Sequence, residues 1–187
     1  MQTQVSITAV STRHSMKLNA RCYLWLVLAF LIGNVIHESG HWLMGAALGM
    51  EMRFGLNAVT YLSATEDWQR ARADGAGPLV TIVQGIVAYL LVQRTASVKA
   101  FAFLYAAAFM RLVAGLVSVM HPNDEARLSM YFGLGKWTLP VLVAAGLILL
   151  AFKGSKRLGL TWKDQALCYL VASLAVSAIV GLDRFLR

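Results

Sequence analysis

Long apolar stretches, interrupted by short polar ones, set the pattern of this chain. Five apolar segments stand out, at Cys22–Met50, Ala76–Gln93, Val98–Met120, Thr138–Phe152 and Asp164–Leu182. A helix that spans a bilayer needs about 20 predominantly apolar residues. The first three segments and the last meet that length, and the fourth falls short unless it begins near Tyr131. Lipid offers no partner to a free N–H or C=O, so each spanning segment is predicted to be helical. Between the first two segments lies a polar connection, Glu51–Gly75. Partial alternation over Met52–Leu62 predicts a strand or hairpin. The charged run Thr65–Asp74 is expected to lie on the membrane surface. Gly75-Ala76-Gly77-Pro78 is expected to open the second helix, with proline in its first turn. His121-Pro122-Asn123-Asp124-Glu125 separates the third segment from the fourth. Residues 1–20 read as a polar tail, and no internal repeat is visible. The predicted architecture is an all-α membrane protein. It is a polytopic bundle of about five transmembrane helices, with a short membrane-associated β-hairpin after the first. Residues 21–187 form a single transmembrane domain.

Composition sharpens this picture. Hydrophobic residues make up 58% of the 187 residues and charged residues 14%, with a mean hydropathy of +0.62. A soluble domain carries more charge to cover its surface, so lipid is expected to cover much of this one. The net charge is +8, but the basic residues mainly flank apolar segments, where they orient helices and meet anionic headgroups. Membrane lipids are therefore expected partners. A nucleic-acid role is not expected, because there is no zinc-finger spacing, arginine-rich run or RNA-binding aromatic motif. With Arg111 set aside as intramembrane, Lys and Arg divide nine to seven between the two sides, a margin too small to orient the chain. Cys22 and Cys168 form no CxxC pair and read as packing thiols.

The chemistry concentrates in Ile36-His37-Glu38-Ser39-Gly40-His41-Trp42, an HExxH motif inside the first apolar segment. His37 and His41 are four residues apart and share a helix face, where two imidazoles can grip one Zn2+ ion. Glu38 can take the proton of a water activated by that ion. Ionisable groups inside a membrane helix are costly and usually functional. A chance HExxH whose groups only bond between helices is the competing account. Gly33, Gly40, Gly45 and Gly49 slim the helix and let neighbours approach.

A catalytic zinc needs a third protein ligand. Asp124 is the favoured candidate, with Asn123 to orient it, and His121 is the alternative. Asn123 and Asp124 can equally cap a helix that starts near Glu125. Arg111 is expected to pair with an acidic residue or to snorkel, with a substrate carbonyl or carboxylate as its other possible partner. Thr81 and Gln84 are expected to bond between helices rather than to a substrate.

At these residues the chain resembles the site-2 protease family of intramembrane zinc metalloproteases. HESGH lies in the first long helix, followed by Gly49-Met50-Glu51-Met52-Arg53-Phe54-Gly55, which is similar to the family's β-loop. Ala76-Gly77-Pro78-Leu79 is similar to its AGP motif, and Asn123-Asp124 follows the third helix where the family places its aspartate ligand. The similarity covers about residues 25–130. It implies a catalytic core at about residues 22–133, zinc held by His37, His41 and Asp124, and Glu38 as general base. The implied reaction is hydrolysis of peptide bonds in transmembrane protein or peptide substrates, with Met52–Leu62 pairing to the unwound substrate edge to edge. It also implies a cytosolic β-loop. The chain departs from the family at Glu125, where glycine is usual, and at Thr81, where asparagine is frequent. No soluble regulatory domain is expected. The expected location is multi-pass in a membrane, with a bacterial inner membrane as the expected one. Two alternatives stand beside this expectation. One is a non-proteolytic zinc-binding or regulatory protein of the same fold, although an intact Glu38 is more than metal binding needs. The other is a membrane transporter, although repeated halves are lacking.

Overall fold

The computed structural model describes residues 18–63 and 65–186. Almost all of the polar tail expected over residues 1–20 therefore lies outside the described residues. Six helices and one small sheet follow in order: α1 (Ala20–Ala47), β1 (Met52–Arg53), β2 (Thr60–Tyr61), α2 (Asp67–Thr95), α3 (Val98–Val117), α4 (Asp124–Tyr131), α5 (Thr138–Leu158) and α6 (Trp162–Leu186). Five of them, all but α4, are long and apolar enough to cross a membrane. The two strands pair antiparallel, with Met52 opposite Tyr61 and Arg53 opposite Thr60, as the alternation in that stretch predicts.

α3 is the most buried of the five long helices and stands at the centre, packed against α1, α2 and α5. Its alanines Ala102, Ala106, Ala107 and Ala108 allow close approach on several sides. Phe109 meets Phe30 of α1 edge to face, with centroids 5.7 Å apart, in a cluster closed by Cys168 and Ala172 of α6. Val92, Phe101, Leu104 and Leu158 form a second cluster, between α2, α3 and α5. The outward faces of the long helices carry large exposed apolar side chains, among them Leu43, Leu79, Leu142 and Leu174.

Two boundaries differ from expectation. α2 begins at Asp67, so the charged stretch forms its first turns and Pro78 lies inside the helix. A local start signal overrides the proline: Gln69 Oε1 accepts from the Glu66 N–H at 3.0 Å, and Gln69 Nε2 donates to Leu48 O at 3.2 Å. Pro78 leaves the Asp74 carbonyl without its helical donor, a local defect that falls beside the functional residues. α5 starts at Thr138 but gains length at its other end, running to Leu158 and a left-handed cap at Gly159.

The glycines of α1 divide. A Cβ on Gly40 would meet Ala76 O at 3.1 Å, one on Gly33 would meet Gln84 at 3.2 Å, and one on Gly45 would strike Met52. These three let α2 and the hairpin close on α1. Gly49 does not serve that purpose: it lies past the helix end at φ +72°, with nothing near it, and supplies the turn.

Candidate metal centre

The centre is built where the second half of α1, the first half of α2 and the start of α4 meet. About 26 Å of α1 precede His37 at 1.5 Å per residue, so the centre is displaced toward one end of the bundle. His37 and His41 project from one face of α1, with ring planes at 89° and centroids 4.7 Å apart. Asp124, the first residue of α4, enters from the far side. His37 Nε2 stands 3.1 Å from His41 Nε2, and Asp124 Oδ2 stands 3.3 Å from the first and 3.4 Å from the second. All three residues are buried.

The outer face of each imidazole is already committed. His41 Nδ1 lies 2.7 Å from Ala73 O, a carbonyl that can only accept, so that nitrogen carries the hydrogen. His37 Nδ1 lies 2.9 Å from Thr81 Oγ1, whose hydroxyl in turn reaches Gly77 O at 3.2 Å. The hydroxyl gives its hydrogen to that carbonyl and accepts from His37. When both imidazoles are neutral, their Nε2 atoms face Asp124 as lone pairs, so three acceptors converge on one point.

This donor set fits a metal. Ligand atoms about 2.0–2.1 Å from one tetrahedral zinc stand about 3.3–3.4 Å apart, close to the separations found here. The backbone also leaves room, because a Cβ on Gly77 would collide with His41 Nε2 and crowd the His37 ring. Charge agrees as well. With neutral imidazoles, the carboxylates of Asp74, Asp124 and Glu125 outnumber the guanidiniums of Arg111 and Arg127 by one, and Glu38 lines the same cavity. A cation at the three acceptors would offset that excess.

Side chains around the centre hold Asp124 in place. Arg127 forks onto Asp74 at 2.7 and 2.9 Å and reaches Asp124 Oδ1 at 2.7 Å, which leaves Oδ2 to face the histidines. Tyr61 of β2 donates to Asp74 at 2.6 Å. Burial, with Asp74 adding to it, pushes the Tyr61 hydroxyl above the ordinary phenol range, so it stays protonated as that donor. Arg111 of α3 bonds Glu125 at 2.8 Å and comes within 3.4 Å of His37 Nε2. Asn34 donates to the Leu56 carbonyl, and Asp183 of α6 accepts from Leu56 N at 2.8 Å and Asn57 N at 3.2 Å. The loop between the strands is thereby tied to α1 and α6. A cavity of about 580 Å³ adjoins this loop, and Glu38, Arg111, Asp124, Val113, Val117 and Ile179 are among its lining residues.

The structure thus brings His37, His41 and Asp124 together, with Glu38 beside them. His121 is exposed and does not join. Asn123 does not orient the aspartate through its side chain. Its backbone N–H bonds Ser118 Oγ at 3.1 Å, and Arg127 holds the carboxylate instead. Asn123 stands at the N-cap position of α4 without a side-chain cap bond, so Asp124 both opens that helix and joins the centre. Thr81 bonds an imidazole as well as its own helix, whereas Gln84 packs under Gly33 and reaches Phe103 O at 3.5 Å. Asp74 and Arg127 carry no motif and were not anticipated from the sequence.

Comparison of the chain with protein-family models, curated proteins and solved structures returns no match.

Proposed function

We propose that the chain is an intramembrane zinc metalloprotease of the kind the site-2 protease resemblance implies, acting on peptide bonds of membrane-embedded substrates. The observation that carries this reading is the convergence of His37 Nε2, His41 Nε2 and Asp124 Oδ2, at separations suited to one tetrahedral ion, with Glu38 adjacent. The belt of exposed apolar side chains on helices long enough to span supports a multi-pass membrane location.

His37, His41 and Asp124 would hold the ion, which supplies Lewis acidity to a water and to a carbonyl. The other roles belong to the chain. Glu38 takes a proton from the attacking water as its oxygen bonds the scissile carbon, and returns it to the leaving nitrogen as the C–N bond breaks. The apolar wall from α3 and α6 accommodates an unwound transmembrane segment. The Asn57–Tyr61 stretch borders the same cavity and offers backbone for edge-to-edge pairing.

The test is metal content and cleavage in the full chain, purified in detergent without chelators. About one zinc per chain is expected, lost in both His37→Ala and Asp124→Ala. Glu38→Gln is expected to keep the zinc and lose cleavage of transmembrane peptides. Absence of metal from the native chain overturns the reading. Zinc without Glu38-dependent cleavage turns it into the non-proteolytic metal-binding alternative.

A further inference from the structure

Arg111 has a larger task than packing. Its side chain is buried at 5% exposure, inside an apolar helix, where a charge is costly. Glu125, equally buried, neutralises it through Nη1 at 2.8 Å. That one bond leaves most of the guanidinium uncommitted. Nε is buried and has no hydrogen-bond partner, the sole such side-chain atom among the described residues. Nη2 has only His37 Nε2, at 3.4 Å. That acceptor is the lone pair a metal would use. Once it is committed, Nη2 is left with a hydrogen and no acceptor at the edge of the centre. A buried donor without a partner is expensive, so an oxygen placed there is strongly favoured.

Resting on the metal reading above, we infer that Arg111 is an anion-stabilising residue of this centre. It donates to the oxygen that gains negative charge when water adds to the scissile carbonyl, and Glu125 is the counter-ion that keeps the guanidinium buried and aimed. Nη1 lies 3.8 Å from Asp124 Oδ2 and Nη2 3.4 Å from His37 Nε2, so the guanidinium spans two of the three converging side chains. Its planar set of donors suits an oxyanion better than an ammonium would. The pairing also accounts for Glu125. The residue that follows Asp124 balances a charge on α3, which a glycine there could not do.

The full chain in detergent, loaded with cobalt(II) in place of zinc, tests this without relying on proteolysis. Visible absorption of the cobalt gives both the metal stoichiometry and the affinity for acetate as a probe oxyanion. The native chain is compared with Arg111→Gln and with the double variant Arg111→Gln/Glu125→Gln, which removes both charges and spares the fold an unpaired carboxylate. Unchanged cobalt stoichiometry with acetate binding weakened by roughly 10- to 100-fold in the double variant is the expected result. In a cleavage assay the same variant should lose kcat, on the order of 100-fold or more, with little change in KM. Acetate affinity equal to native, with cobalt bound in both, overturns the inference and leaves the metal reading intact. Failure of the native chain to bind cobalt overturns both.

Discussion

At the scale of single residues, the centre divides into what spacing reveals and what only the fold reveals. The His37–His41 pair was legible because residues four apart share a helix face, a geometry that needs no tertiary knowledge. Asp124 was legible because the end of the third apolar segment is the only other place where acid and histidine cluster. Thr81 was visible but read as a helix-packing residue, because nothing local says that its hydroxyl faces an imidazole 44 positions earlier. Its hydrogen-bonding role gives a prediction. Thr81→Val keeps the shape and removes the acceptor that fixes the His37 tautomer, so zinc affinity should fall about 10- to 100-fold. Competition with a chromophoric chelator would measure this, and Thr81→Ser should restore most of the loss. An unchanged affinity in the valine variant would mean that His37 is oriented by packing alone. Asp74 and Arg127 had no signal at all. Their fork joins residues 53 positions apart, and charged residues near a helix start ordinarily read as solvated surface.

At the scale of elements, helix existence was legible and helix beginnings were not. Hydropathy reports the apolar stretch, whereas α2 starts nine residues before its apolar segment because capping contacts at Glu66 and Gln69 outweigh composition. That longer helix matters for the centre. It places Ala73, Asp74, Gly77 and Thr81 along one face against α1, so carbonyl, carboxylate, gap and hydroxyl all reach the two histidines or their neighbours. Gly77 is the tightest of these positions. Gly77→Ala should abolish zinc binding while helical circular dichroism persists, since its Cβ would occupy the space of the His41 and His37 ring edges. Gly146→Ala on α5 is the control. Its Cβ would meet nothing within 4 Å, and the exchange should leave metal binding intact while adding up to about 1 kcal/mol of helix propensity. Zinc bound equally by both variants would show that a side chain at position 77 is accommodated beside the histidines and that the gap there is not required.

At the scale of the whole molecule, the apolar exterior and the polar centre pull on the fold in different ways. The bundle core of small and aromatic residues joins α1, α3 and α6 and needs no ion. The centre joins α1 to α4, a polar helix of eight residues that otherwise packs on α2 and α5. Without a cation, Asp124 Oδ2 stands 3.3–3.4 Å from both imidazoles, where only a shared proton can join them, while Arg127 and Arg111 hold the carboxylate from the other side. Metal binding should therefore stabilise the folded chain by mass action, by about 2.7 kcal/mol when free zinc exceeds its dissociation constant 100-fold. Removing zinc with a chelator should lower the apparent Tm of the native chain in detergent, and restored zinc should reverse the change. Asp124→Ala should start near the chelated value and show no response, because one leg of the site is gone. If chelator lowered both proteins equally, the stabilising ion would sit elsewhere in the chain. If it lowered neither, packing on α2 and α5 together with the Arg127–Asp74 and Arg111–Glu125 pairs would hold α4, and the ion would add function without adding stability.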